Sequence, residues 1–416
     1  MIERLLVDVT PLRESRAYRR LWVGSLLSGV GSQMTVFAVA LQVYLLTHSP
    51  VAVGAVGLVT AIPAITCGLF AGSLLDAFDR RRLVLVTSTA QLVISLAFAA
   101  QAFAGVDQLS LLYVLVALQS LVASVNAPAR GTFMPRLLPP EQIPAGAALS
   151  MLVMHAGLVA GPSLAGVIAA AGGLRLCYLV DAISFLAALY GVFRLPPMRP
   201  DGDGTRPGLR AVVDGLRVQR RSPGLTGALI SDMNATVLAM PIALFPAINA
   251  ERFGGSPRTL GLLTTAVAVG GILGSALSGP VGRVSRQGLG MLVAGAVWGA
   301  ALAGFGLVDG LGATLALLAV AGAADVSSVV LRTTLIQVAT PDAFRGRTTA
   351  TEFVVGAGCP ELGNFRAGAV ASLTSPGVSA VTGGVACIVG AGVIAVTLPA
   401  FVRYRTAAEP VSVASL

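Results

Sequence analysis

Two apolar runs, residues 51–75 and 83–104, are joined by a turn that holds Asp76, Asp79 and the consecutive arginines Arg80, Arg81 and Arg82. Each run is long enough to cross a bilayer as a helix, which takes about 20 residues. Three arginines cannot rest in hydrocarbon, so the turn lies at a membrane surface, and arginines in short loops are retained on the cytoplasmic side. The same alternation of apolar run and polar break recurs along the whole chain. Segments 18–47, 51–75, 83–104, 108–130, 146–171, 174–195, 224–249, 258–281, 287–308, 311–335, 349–372 and 378–401 each read as a membrane helix. The expected fold class is therefore all-α, with 12 transmembrane helices and both termini on one side.

The arginines give that side a name. Of the 28, Arg175, Arg252 and Arg258 fall in odd-numbered loops and Arg366 falls inside a segment, which leaves 24 in the N-terminal arm, the even-numbered loops, the centre and the tail. Such a bias predicts cytoplasmic termini and a cytoplasmic centre. Only 11% of residues are charged and 55% are hydrophobic, whereas a soluble domain carries about 25% charged residues. The net charge of +9 thus reflects loop arginines facing a bilayer and not a nucleic-acid surface. Cys67, Cys177, Cys359 and Cys387 all lie inside apolar runs, none at metal-ligand spacing, and read as small packing residues. Residues 1–17 are too charged, and the first segment too long, for a cleavable signal.

The longest polar interruption, 196–223, divides the chain into a six-helix bundle at 1–195, a linker, a second bundle at 224–405 and a tail at 406–416. Leu209, Val212, Val213 and Leu216 recur in the linker at helical spacing among arginines, as an amphipathic helix on the inner leaflet would require. The halves are alike. Ser49-Pro50-x-x-x-Gly54 returns as Ser256-Pro257-x-x-x-Gly261, Arg130-x-Thr132 as Arg332-x-Thr334, and Gly161 and Gly166 as Gly363 and Gly368. An internal repeat of this length suits two pseudo-symmetric bundles, a common transporter architecture.

Two kinds of residue stand out as functional candidates. Gly157, Gly161, Pro162 and Gly166 make a flat, loosened helix face in the fifth segment. Charges inside segments are costly in hydrocarbon unless paired or solvated; those that stand out are Asp181, Asp232, Asp325, Glu361 and Arg366. Glu361 falls at mid-membrane. Arg366, five residues on and about 140° around the helix, is poorly placed to pair with it. Asp181 reads as a clamp between helices. Gln33, Asn126 and His155 are polar residues that either line a cavity or are satisfied in packing. The chain has only two histidines, no ATP-binding Gly-x-x-x-x-Gly-Lys-Ser/Thr loop and no nucleophile–base pair, so neither an enzyme nor an ATP-driven pump is expected.

The turn after the second segment resembles the Gly-x-Leu-x-Asp-x-x-Gly-Arg-Arg loop of the major facilitator superfamily. Gly72, Leu74, Asp76 and the run Arg80 to Arg82 match, and Asp79 replaces the second glycine. The glycine–proline face resembles the antiporter motif of exporters in that superfamily. Asn126-Ala-Pro128-Ala-Arg130, Asp181-Ala-Ile-Ser-Phe185 and Ala243-Leu-Phe-Pro246-Ala are similar to the branch that contains the enterobactin exporter and macrolide efflux pumps. The resemblance implies a monomeric, proton-driven exporter of siderophore-like or drug-like molecules in a bacterial inner membrane. It would use no cofactor beyond the proton gradient, and Gly72, Asp76 and Arg80 to Arg82 would gate it. One feature departs from proton antiporters: segment four has no arginine in its middle and segment one no carboxylate. Coupling then falls to Glu361, Asp232 or another group. A facilitator importing a small solute, or a receptor on the same fold, are the alternatives.

A reporter active only in the cytoplasm is expected to function when fused at the C-terminus or within 200–210. Activity there from a reporter that works only outside the cytoplasm would reverse the orientation.

Overall fold

The computed structural model describes residues 8–198, 213, 216–217, 219–220, 222–276, 284–340 and 345–404; for 71–74, 76, 345–347 and 350 it describes the helical backbone alone. Twelve long helices account for most of this chain. They are α1 (Arg16–Thr47), α2 (Pro50–Ala77), α3 (Arg80–Ala104), α4 (Leu109–Gly131), α5 (Ile143–Gly172) and α6 (Leu174–Phe193), then α7 (Pro223–Ala239), α8 (Pro257–Ala276), α9 (Gln287–Leu307), α10 (Leu311–Ala339), α11 (Arg345–Leu373) and α12 (Pro376–Thr397). Among the described residues there is no strand. Eleven helices are long and apolar enough to cross a bilayer by composition; the exception is α11, which carries Arg345, Arg347, Glu352, Glu361 and Arg366. The amphipathic stretch expected around Leu209 to Leu216 lies largely outside the described residues.

Helix ends follow local chemistry. Ser222 and Ser375 cap α7 and α12 by accepting from the amides of Leu225 and Val378, one of the four orphan donors at each helix start. The seventh apolar segment is not one helix. Met240 is extended, Pro241 cannot donate an amide, and a short 3-10 turn (Ile242–Leu244) leads into a second helix, Phe245–Arg252. Arg252 at its end donates to the carbonyls of Phe305, Gly306 and Val308 and pairs with Asp309 at 3.4 Å. A cation there satisfies the orphan carbonyls at the C-terminus of α9 and complements its dipole. Arg332 and Arg130, which the arginine count assigned to loops, both lie inside helices, in α10 and α4.

Backbone contacts group the chain into two units. One comprises Met1–Leu46 and Ile62–Pro207, the other Thr47–Ala61 and Gly208–Leu416. The division falls within α2 as well as near the linker, so the first half of α2 packs with the second unit. In the first unit α3 packs on α6 and α4, and α5 on α6; in the second α9 packs on α12 and α10, and α11 on α12. The two sets are equivalent under a shift of six helices, as the sequence repeat predicts.

Glycines set the closest approaches, and they too repeat. A Cβ on Gly161 of α5 would overlap Gln33 of α1 and lie 3.2 Å from the Val30 carbonyl oxygen. A Cβ on its repeat partner, Gly363 of α11, would overlap the Thr236 carbonyl oxygen of α7. Each half therefore seats its fifth helix on its first through the same glycine, without the hydrophobic drive that water would supply. Gly161→Val is expected to destabilise the fold by about 1–3 kcal/mol through overpacking. Gly295→Ala, where an added Cβ meets nothing within 4 Å, is expected to leave thermal unfolding of the purified protein unchanged.

Candidate functional site

The arginine turn is built as a staple inside the first unit. Asp79 has φ −58°, an ordinary value that needs no glycine, and caps α3 by accepting from the Arg82 amide at 2.9 Å. Its other oxygen accepts from the Met198 amide at 2.9 Å, and the Arg80 amide donates to the Met198 carbonyl. Arg81 donates to the Phe193 carbonyl at the end of α6, an orphan acceptor. Beneath them Leu75, Val84, Phe133, Val192, Leu195 and Met198 form one core. The departure from the superfamily loop thus binds the start of α3 to the end of α6. Gly72 and Asp76 lie in the last turns of α2, their surroundings outside the description; Arg82 is exposed.

Several sequence candidates are satisfied in packing. Asp181 of α6 is fully buried and accepts from Thr35 of α1 at 2.8 Å and Ser95 of α3 at 2.7 Å. Its Oδ1 has no partner, and Gly31 leaves room for it on α1. The residue clamps three helices. Asn126 is buried and donates to Thr87 and Ser88 of α3, while Arg130, one turn on, donates to Ser88 and to Ser25 of α1. Gln33 is half-buried against the glycine face of Gly157 and Gly161; Pro162 and Gly166 are buried in α5. The His155 ring lies 3.0 Å from the Met151 carbonyl of its own helix.

The second unit holds the remaining charges. Glu361 accepts from Asn364 at 3.0 Å, and Asn364 accepts from the Ala243 amide at the break after α7. A Cβ on Gly57 of α2 would overlap the Glu361 carboxylate, so that glycine makes its seat. Arg366 does not pair with Glu361. It lines a small cavity with Ala239, Met240, Pro241, Leu302 and Gly383 and has no partner among the described residues.

A larger charged group lies elsewhere. Arg332 of α10 forms an ion pair with Asp232 of α7, and its Nε is 4.0 Å from Glu352 of α11. Asp325, seven residues before Arg332, is on the same face of α10 two turns away and within electrostatic reach of Asp232 and Arg332. Sequence reading found Asp232 and Asp325 but gave Arg332 to a loop and passed over Glu352 and Asn364. Only Arg332's place four residues inside the 311–335 segment hinted at it. Among the described side chains, three carboxylates then lie within reach of one cation, a balance that hydrocarbon does not tolerate without a further positive charge.

Twelve helices in two repeat-related sets of six, with charged centres inside them, define a transporter of the major facilitator superfamily. The chain matches the Transmembrane secretion effector family over residues 7–411 and belongs to it. It is 25% identical to the enterobactin exporter EntS of Citrobacter koseri and 24% identical to that of Escherichia coli O139:H28, in both cases over 96% of this chain and 96% of the relative. Among solved structures it is similar to a bacterial homologue of the iron transporter ferroportin, with TM-score 0.68 and 19% identity over 94% of this chain and 99% of that one. The nucleoside transporter NupG gives TM-score 0.70 at 15% identity over 94% and 100%. These two likenesses establish the fold. The protein is a multi-pass membrane transporter of an exporter family and not an enzyme.

Asp79→Ala removes the α3 cap and the Met198 tether together, and is expected to cost about 0.5–2 kcal/mol in thermal unfolding. Asp79→Asn keeps an oxygen for the cap and loses only the second acceptor, so its loss is expected to be smaller. Equal stability of all three proteins would show that the staple contributes nothing.

Proposed function

We propose that this protein exports a siderophore-like or drug-like small molecule across the bacterial inner membrane by alternating access, exchanging it for protons and acting as a monomer with cytoplasmic termini. The observation that carries the direction and substrate class is the likeness to enterobactin exporters along 96% of the chain. Proton exchange is favoured by the grouping of Asp232, Asp325 and Glu352 about Arg332 among the described side chains of α7, α10 and α11. A proton gradient is the natural drive, because the chain has no nucleotide-binding loop. The turn at Asp76 and Arg80 to Arg82 would make its charged contacts in one conformation and release them in the other.

Inverted membrane vesicles containing the protein are expected to accumulate enterobactin or a macrolide when energised, and to stop when the proton gradient is collapsed. Uptake that persists at the same rate without the gradient would replace antiport by facilitated diffusion. Asp76→Asn, at normal membrane levels, is expected to slow this accumulation strongly.

A further inference from the structure

Three carboxylic acids sit in the bundle of the second unit, on α7, α10 and α11; Asp232 and Glu352 flank the Arg332 guanidinium, and Asp325 lies within electrostatic reach of it. Asp232 is nine residues into α7, Glu352 seven residues into α11, and Arg332 seven residues before the end of α10. At 1.5 Å per residue each is about 10–14 Å from its helix end, so three helices bring charge to one depth. Asp325 is about 10 Å further along α10 on the same face. The group is not a closed ion-pair network. Among the described residues, the buried Glu352 Oε1 and Arg332 Nε have no hydrogen-bond partner, and Asp325 makes no hydrogen bond. Asp325 also differs from Asp181, Asp232, Glu352 and Glu361 in that it is exposed at the protein surface, whereas they are buried or half-buried.

We infer that this Arg332-centred group is the proton-binding site of the transporter, with Asp325 as the group that takes the proton and Arg332 shared between Asp232 and Glu352. The inference rests on the antiport reading and gives it a location. Among the described side chains the nearby cation is Arg332, which can neutralise one carboxylate fully and a second in part, so the third needs a proton to lie in the membrane at tolerable cost. A metal ion does not fit, since among the described residues no set of His, Cys, Asp or Glu is arranged to hold one. The other titratable group near Asp232 is the Cys359 thiol of α11, which offers no charge balance. Only an O–H bond forms and breaks: Asp325 gains a proton from water on one side of the membrane and returns it to water on the other. When Asp325 is neutral, Arg332 is held by Asp232 and Glu352 alone; when it is ionised, it competes for the same guanidinium. Protonation thereby changes which helices are tied across α10. Glu361 stands apart from this group, with Asn364 as its own partner and Gly57 as its seat. Asp181 stands apart as well, with Thr35 and Ser95 as its partners.

The test is infrared difference spectroscopy of the purified full-length protein in lipid, following the protonated-carboxyl band as pH is changed, without any substrate. The wild-type band is expected to titrate, Asp325→Asn to lose most of it, and Glu361→Gln to leave it unchanged. Asp232→Asn is expected to move the titration midpoint, since Asp325 then has one competitor fewer for Arg332. Should Arg332→Gln not accumulate, the double variant Arg332→Gln with Asp232→Asn removes the charge as a pair and keeps the experiment readable. Loss of the band in Glu361→Gln with retention in Asp325→Asn would overturn the assignment, and so would a band that no variant alters. The failure of antiport itself reads differently: vesicle uptake of enterobactin or a macrolide would ignore the proton gradient while the Asp325 band still titrated.

Discussion

Hydrocarbon gives a charged or hydrogen-bonding side chain nothing to bind, so every polar group in these helices has to find its partner within the protein. That requirement organises the interior. Arg252 lies at the carbonyl end of α9, Asn364 meets the amide that Pro241 leaves exposed after α7, and Asp181 draws hydroxyls from α1 and α3. Gln42 and Gln101 exchange hydrogen bonds, and Tyr178 donates to Gln42 while stacking on Phe98. Each of these contacts ties two or three helices that apolar packing alone would leave free to slide.

The second constraint is distance. Helices in lipid gain little from burying apolar surface against each other, and close backbone approach supplies the dispersion and dipolar contacts instead. Gly161 against α1 and Gly363 against α7 repeat one such approach in the two halves. Gly270 and Gly274 of α8 take the same role against Ala319 and Ala323 of α10, and Gly299 against Gly384 joins α9 to α12. The glycines at these positions are packing surfaces first, and the backbone loosening at Pro162 is superimposed on that contact.

Enclosed and open polar groups divide the molecule by role. Asp181, Asn126 and Glu361 each have hydrogen-bond partners of their own on neighbouring residues, although one Asp181 oxygen has none among the described residues. Among the described residues Arg366 faces a cavity unpartnered, and the group around Arg332 carries more negative charge than it neutralises. A fully satisfied buried network fixes one arrangement. An unbalanced one has a reason to change when a proton or an ion arrives, which is what a transporter must couple to movement.

The sequence by itself determined the number of helices, their approximate ends, the repeat between the halves and the place of the arginine turn. These are local or periodic properties: apolar length sets a crossing, and charge marks its limits. It also determined that Glu361 and Arg366 would not pair, because helix geometry separates them on one element. It did not determine that Asp79 would serve as a cap and tether, that Pro241 would divide the seventh segment into two helices, or that residues 47–61 would pack with the second half. Least legible was the meeting of Asp232 and Arg332, 100 residues apart. Nothing in either residue's neighbourhood names the other. Which charges meet depends on the rotation and depth of α7, α10 and α11 against one another, and the packing of many glycine and alanine contacts sets those together.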